Sequence, residues 1–402
     1  MNDRLFKQIL TGRIALLLIF TPLARGAAHL WSMTVAFIAI YFLIFLWFWK
    51  LSDNTGGAPV LKISLIDRLI IAFLALAAVS AVFSVYKHDS IYALLQLMGY
   101  AGIYYLVVCN FDAMMKKWIL ILVVAMGACL SVYGLLQYIG VLDHSWWFPQ
   151  GFLASSYVNH NHFAGYLELV VPVAIGMLAR KREESFYSRI LLLAALCVMI
   201  IAFIFTQSRG GWISLALSLM VMNIILIKRG VLNKMSFLVF ILIAASLLVF
   251  FSIKGAQMFP SGENRTAVVT EPGKDISLQT RLGIWRGSVK ELRGSPLTGT
   301  GIGDFDKGFY RYRPEGYNEK AVYAHNEYLH IAVEMGILAP LLMVLLFIAI
   351  LKTGLRPGAD LAMVGCCCGM LSLALHGLVD FNFHVPANML LFCIYGAFVR
   401  EG

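Results

Sequence analysis

Residues 190–227 read ILLLAALCVMIIAFIFTQSRGGWISLALSLMVMNIILI. Two apolar runs are joined by Thr206-Gln207-Ser208-Arg209-Gly210-Gly211. Each run is long enough to cross a hydrocarbon core of about 30 Å. A helix on the surface of a soluble protein is apolar along one stripe only. These runs are apolar on every side, and the one charge in the whole stretch is Arg209. The stretch reads as two membrane-spanning helices with a tight turn between them.

The pattern repeats outward from this hairpin. Apolar run length and breaks at charged or Gly/Pro clusters predict spans at 11–24, 30–49, 67–86, 91–109, 118–139, 162–179, 190–206, 211–227, 235–253, 331–351, 361–379 and 385–399. Composition agrees. Of 402 residues, 60% are hydrophobic and 13% charged, with mean hydropathy +0.79. Soluble domains carry about 25% charged residues. An ordinary cytosolic enzyme, a disordered chain and a secreted disulfide scaffold are therefore excluded. The expected fold is an all-α integral membrane protein of about twelve transmembrane helices with one long, partly helical loop. Three parts are expected: a membrane domain over 1–253 with about nine spans, the loop over 254–327, and a three-span segment over 328–402. Arg4, Lys7 and Arg13 before the first run resemble a signal peptide, but no small-residue cleavage site follows. The run is expected to be a retained first span.

The seven cysteines lie in or beside apolar runs and are expected to act as small packing residues. The net charge of +10 suits basic loops that fix membrane orientation or bind anionic lipids, with no nucleic-acid partner. Lys116, Lys117, Arg180, Lys181, Arg182, Arg189, Lys228 and Arg229 fall in loops of one side, whereas the short loops of the other carry Arg25, Lys87 and Arg209. The positive-inside rule then makes both termini cytoplasmic and turns the 254–327 loop outward.

Arg209 thus sits at the outer boundary without a topological role. Gly210 and Gly211 permit close backbone approach or positive φ, so the turn presents a guanidinium beside backbone amides. That suits a phosphate; an Arg snorkelling to headgroups fits as well. In the loop, Arg281-Leu282-Gly283-Ile284-Trp285-Arg286 begins an expected amphipathic helix after Thr280, with Leu282, Trp285, Val289 and Leu292 as its apolar face. Arg286, Lys290 and Arg293 lie off that face, and a solvated or headgroup-facing role is favoured for them; Arg281 lies near its edge. Pro296 stops the helix. Gly299-Thr300-Gly301-Ile302-Gly303 is read as a tight turn before an anion nest. A metal role for Asp304 and Asp306 is disfavoured. Tyr310, Arg311, Tyr312 and Arg313 interleave rings with cations, which suits sugar and phosphate or an interfacial anchor.

The loop closes on Ala324-His325-Asn326-Glu327. An imidazole, with an ordinary pKa near 6.5, removes a hydroxyl proton near neutral pH. Glu327 and Glu334 are carboxylates that could orient His325 or replace it; a lone interfacial His is also commonly structural. Asn159, His160 and His162 open a span, where capping precedes ligand binding as a reading. His376, Asp380, Asn382 and His384 flank the last outward turn. Ionisable groups at such depth are functional candidates or packing elements.

These pieces in this order resemble the O-antigen ligase family, which includes polysaccharide polymerases and protein O-oligosaccharyltransferases. The matching residues are Ser208-Arg209-Gly210-Gly211, Arg281 with Trp285, Pro296 before Gly299–Gly303, and His325-Asn326 leading into a span. Asn159 to Gly165 and His376 with Asp380 also look like family features. The resemblance implies a GT-C-like, metal-independent membrane glycosyltransferase of the bacterial inner membrane, without a cofactor. It implies a glycan donor on undecaprenyl diphosphate and an acceptor hydroxyl on lipid A-core, another glycan or a protein. Arg209 and Arg281 would bind the diphosphate and His325 would be the base or orient the acceptor. Gly210, Gly211, Arg286, Asn159, Tyr310 and Arg311 are further substrate-binding candidates, and no residues are assigned to a metal. A transporter or flippase for a lipid-linked glycan is the rival from another class; it predicts charged or broken helices at the bilayer midplane.

Overall fold

The computed structural model describes residues 3–53, 62–143, 151–180, 185–233, 235, 276–313 and 321–401. Among them the regular elements are helices. Eight are long and apolar enough to cross a membrane: α1 (Asp3–Leu23), α2 (Leu30–Asp53), α3 (Leu65–Phe83), α4 (Lys87–Asn110), α5 (Ala113–Tyr138), α6 (His160–Ala179), α7 (Phe186–Phe205) and α8 (Arg209–Lys228). Three shorter apolar helices follow the loop: α12 (Leu338–Gly354), α13 (Leu361–His376) and α14 (Pro386–Glu401). Among the described residues the fold is all-helical, and its long apolar helices fit an integral membrane protein. The span predicted over 235–253 lies outside the described residues except for Met235, as does the loop segment 254–275.

Two departures from the predicted spans have identifiable causes. Helix α1 begins eight residues before the predicted 11–24, because Phe6 and Leu10 are buried and Asp3 pairs with Lys50 of α2. The predicted span 331–351 is two helices, α11 (Glu327–Met335) and α12, broken at Gly336, whose φ is 84°. The loop fills that break: the Ile337 amide donates to the Pro296 carbonyl at 2.9 Å.

Helix α6 is the centre of the bundle. Its apolar window is 83% buried, against at most 44% for the other seven long helices. It runs in backbone contact with α13, where a Cβ at Gly369 would lie 2.7 Å from the Leu169 carbonyl. Small residues at such crossings let van der Waals packing replace the hydrophobic drive that lipid does not supply. At the end away from the loop, Ser64 and Asp67 form a capping box on α3, and Arg400 of α14 donates to both Asp67 oxygens at 3.1 Å.

The loop packs as a unit over the other end. Helix α9 (Ile276–Gly294), α10 (Phe305–Tyr312) and α11 share a core of Ile284, Phe305, Phe309, Ala321, Ala324 and Val333. Burying such side chains contributes roughly 1.5–3 kcal/mol each. Helix α9 starts at Ile276, before the predicted Thr280 boundary, and its buried stripe differs from the predicted one. Ile284, Ser288 and Glu291 face inward, while Val289 is 40% exposed. Gly287 decides this rotation, because it gives room to the Phe309 ring. The glycine-rich segment is a tight turn whose amides are used internally: Thr300 N donates to Val333 O (2.9 Å), Gly301 N to Glu334 O (3.0 Å) and Ile302 N to Ser80 Oγ (3.0 Å).

Candidate active site

The turn between α7 and α8 is fixed on both sides. Gln207 has φ 55°, and its amide donates to the Gly151 carbonyl at 2.8 Å. The His160 Nδ1 lies 2.7 Å from the Thr206 carbonyl, and Phe152 stacks on the His160 ring. Ser208 caps α8, its Oγ accepting from the Gly211 amide at 3.3 Å. Arg209 is therefore the first residue of α8, at the positive end of the helix dipole, where an anion is favoured. Gly210 and Gly211 are helical and have no positive φ. Their lack of a side chain serves close approach instead. A Cβ at Gly210 would lie 2.9 Å from the His376 ring, and one at Gly211 2.9 Å from Glu168 Oε1.

Those two neighbours begin a buried polar chain. Glu168, fully buried in α6, accepts from Ser372 Oγ and from His376 Nδ1, each at 2.7 Å. His376 Nε2 is 3.5 Å from Ser208 Oγ and 3.9 Å from Asp380 Oδ2. Asp380 Oδ2 is 3.9 Å from an Arg281 guanidinium nitrogen. Burial alone would raise the Asp380 carboxyl, but His376, His162, Arg281 and His325 around it hold it below the usual carboxylate range.

His325 enters the same group from the loop. Trp285 Nε1 donates to the Ala324 carbonyl at 2.9 Å, tying the helix that carries Arg281 to the residue before His325. Asn326 caps α11 by accepting from the Leu329 amide at 3.0 Å. His325 is held between them at φ 50°, a left-handed conformation that costs about 1–2 kcal/mol. Its ring lies edge-on to Phe381 at 4.8 Å, and its Nδ1 is buried without a hydrogen-bond partner. Burial pushes the imidazole below its ordinary pKa; Arg281 and His330 act in the same direction and Asp380 opposes them. At neutral pH the ring is uncharged and able to accept a proton.

The turn before α8 and the start of α9 are thus joined through His376 and Asp380, and the closing end of the loop is tied to α9 through Trp285 and Ala324 and to Phe381 through the His325 ring. Residues 194–344, which carry all three, match the family model described as O-antigen ligase. That stretch is similar to the O-antigen ligase family. The match supports a ligase- or polymerase-type membrane function. No curated protein matches the chain. Glu168, His376 and Asp380 lie outside the stretch matched to the O-antigen ligase model.

The remaining sequence-selected residues divide. Glu327 and Glu334 do not orient His325. Glu327 Oε2 lies 3.2 Å from His384 Nδ1, and Glu334 Oε1 lies 3.2 Å from His330 Nε2. The carboxylate nearest in effect to His325 is that of Asp380. Beside Glu327, His384 is held above its ordinary pKa although burial would lower it. These pairs and Tyr323 cap a cavity of about 560 Å³ whose deeper walls are apolar side chains of α3, α4, α12 and α14. Asn159 caps α6, accepting from the Asn161 amide at 2.8 Å. Arg286, Tyr310 and Arg311 are exposed and are not gathered into the buried group; Arg313 lies over the Tyr310 ring at 4.3 Å. Asp304 docks the loop, accepting from Ser84 Oγ at 2.5 Å and the Tyr86 amide at 3.3 Å. Sequence reasoning missed Phe381, which stacks on Tyr323 at 4.3 Å and meets the His162 and His325 rings edge-on at 4.8 Å. Its one signal was adjacency to Asp380.

Proposed function

We propose that this chain belongs to the O-antigen ligase family and is a glycosyltransferase of the bacterial inner membrane. It moves a glycan from undecaprenyl diphosphate to an acceptor hydroxyl at the periplasmic face, most directly lipid A-core or a related surface glycan. In this proposal the chain has twelve spans, both termini are cytoplasmic, the 254–327 loop is periplasmic and the architecture is GT-C-like. Membrane lipids surround it and nucleic acid plays no part. The observation that carries the reading is the junction of the Arg209 turn with Arg281 through His376 and Asp380, with His325 tied to the Arg281 helix through Trp285 and Ala324. Residues more than a hundred positions apart meet there, at the end of the bundle covered by the loop.

The chemistry follows from charge. The bond from the anomeric carbon to the diphosphate oxygen breaks, and its electron pair leaves with the lipid diphosphate. The acceptor oxygen bonds to that carbon and its proton passes to the uncharged His325. Arg209 and Arg281 meet the growing negative charge, so that no divalent ion is required. Fixed donors in a poorly hydrated site are already oriented when the charge appears, and removing one typically costs ~3 kcal/mol, or about a hundredfold in rate.

The same geometry serves a polymerase or a protein O-oligosaccharyltransferase, which differ in the acceptor. A flippase is favoured less, because the ionisable residues concentrate at the loop end, with Glu168 the main exception. Reconstitution with an undecaprenyl-diphosphate glycan and each acceptor class tests the proposal. Glycan transfer that survives chelation supports it; movement of intact donor across the bilayer without bond cleavage refutes it.

A further inference from the structure

We propose that Glu168 and His376 are positioning residues that hold the two arginine-bearing elements in one arrangement; this rests on the diphosphate-transfer reading above. Glu168 is the unusual feature. A carboxyl group buried in the most enclosed helix of a membrane bundle is costly, and such residues mark function. Its contacts are built from three helices. Ser372 and His376, one turn apart on α13, donate to it, and the first turn of α8 abuts it so closely that Gly211 has no room for a methyl group. The position is electrostatically apt. A cation at a helix N-terminus is disfavoured by the macrodipole. Arg209 stands at that terminus, and an acidic group beside Gly211 offsets the local positive potential until an anionic substrate arrives.

His376 carries the effect onward. A carboxylate only accepts, so its contact with Nδ1 fixes a proton there and turns Nε2 toward Ser208 and Asp380. Ser208 begins the helix that carries Arg209, and Asp380 faces Arg281. Asn382 packs beside His376 from the side of α14, and its Oδ1 accepts from Asn388 Nδ2 at 3.1 Å. One imidazole thereby sets both arginine-bearing elements. An amide at position 168 can also donate, and so removes the constraint on which nitrogen carries the proton.

Two substitutions separate positioning from packing. Glu168→Gln keeps the volume and loses the obligate acceptor; Glu168→Asp keeps the carboxylate and leaves a gap. In reconstituted full-length protein, normalised to folded protein, E168Q is expected to lower kcat/KM for the donor at least tenfold. E168D is expected to retain more kcat/KM than E168Q. The double variant E168Q/H376Q is expected to fall no further than the worse single variant, because Glu168 acts through His376. The opposite order, Gln better than Asp, or losses that multiply in the double variant, overturns the inference. If the native protein transfers no glycan, the transfer reading fails instead. Binding of undecaprenyl diphosphate itself, read by native mass spectrometry, then still tests the link: E168Q and H376Q are each expected to weaken it about tenfold, with no further loss together, and unchanged binding in E168Q overturns it.

Discussion

Replacing Gly299 with alanine tests whether the loop is locked onto the bundle. Gly299 has φ +68°, and an added Cβ would overlap the Glu334 carbonyl and sit 2.5 Å from the Met335 amide nitrogen. Both neighbours are backbone of α11, so neither can rotate away. Alanine in a left-handed conformation costs about 1–2 kcal/mol. Displacing the backbone also threatens the Thr300–Val333 and Gly301–Glu334 hydrogen bonds, worth about 1 kcal/mol each, and adds overpacking strain. Gly299→Ala is expected to weaken loop docking by about 3–5 kcal/mol in all. Gly230 supplies the control: its φ is +67°, and nothing lies within 4 Å of an added Cβ. Gly230→Ala should carry only the conformational cost of about 1–2 kcal/mol. The assay is native-state proteolysis of the loop in nanodiscs, where cleavage follows the open population. G299A is expected to be nicked roughly a hundredfold to several thousandfold faster than the native protein, and to lose transfer activity as Arg281 and His325 separate. G299A nicked no faster than G230A would refute the reasoning.

Three further outcomes are expected. Because His325 is held below its ordinary pKa of 6.5, the acid limb of kcat/KM should fall below pH 6.5, with more than half of maximal activity remaining at that pH; an acid limb above it contradicts the environment described for the ring. Glu291, buried with neither oxygen hydrogen-bonded, is pushed up to about 8, by burial first and Glu334 second. A carboxyl raised in the folded state binds more protons there than in the unfolded state, so its stabilising effect is present at low pH and declines as pH rises from about 4.5 through 8. Glu291→Met should therefore raise the melting temperature of the loop by more at pH 8 than at pH 5, as seen by proteolysis against temperature. At the opposite end of the bundle, Arg400→Ala leaves Asp67, 3% exposed, without its guanidinium, and thermal unfolding should show a loss of about 3 kcal/mol.

How much of this was legible in the chain depends on the range of the interaction. Uniform apolarity over 190–206 and 211–227 specifies two spans, because lipid contact requires it residue by residue. The division of 331–351 at Gly336 was not legible, since its cause is a loop carbonyl, that of Pro296, about forty positions away. Likewise the face of α9 was misjudged from side-chain hydropathy: the small Gly287 and Ser288 turn inward because Phe309 fills the space, which no local periodicity encodes. For the site, Arg209, Arg281 and His325 were each recognisable as polar groups at a membrane boundary. Their connection was not, because it runs through pairs such as His376 and Glu168, 208 positions apart. Glu168 was nonetheless conspicuous as an acid within an apolar run, the signal that burial and pairing had to follow. Glu327 and Glu334 misled for the converse reason: nearness in sequence to His325 counted for less than the imidazoles of His384 and His330 that the fold supplies to them.

The central claim is that guanidiniums and an uncharged imidazole at the loop end carry glycan transfer from a lipid diphosphate. Single-turnover transfer from a defined undecaprenyl-diphosphate glycan, by reconstituted Arg209→Ala, Arg281→Ala and His325→Ala, tests it most directly. Each variant, folded and inserted, is expected to transfer about a hundredfold more slowly than the native protein, with or without chelator. Native rates in all three would contradict it.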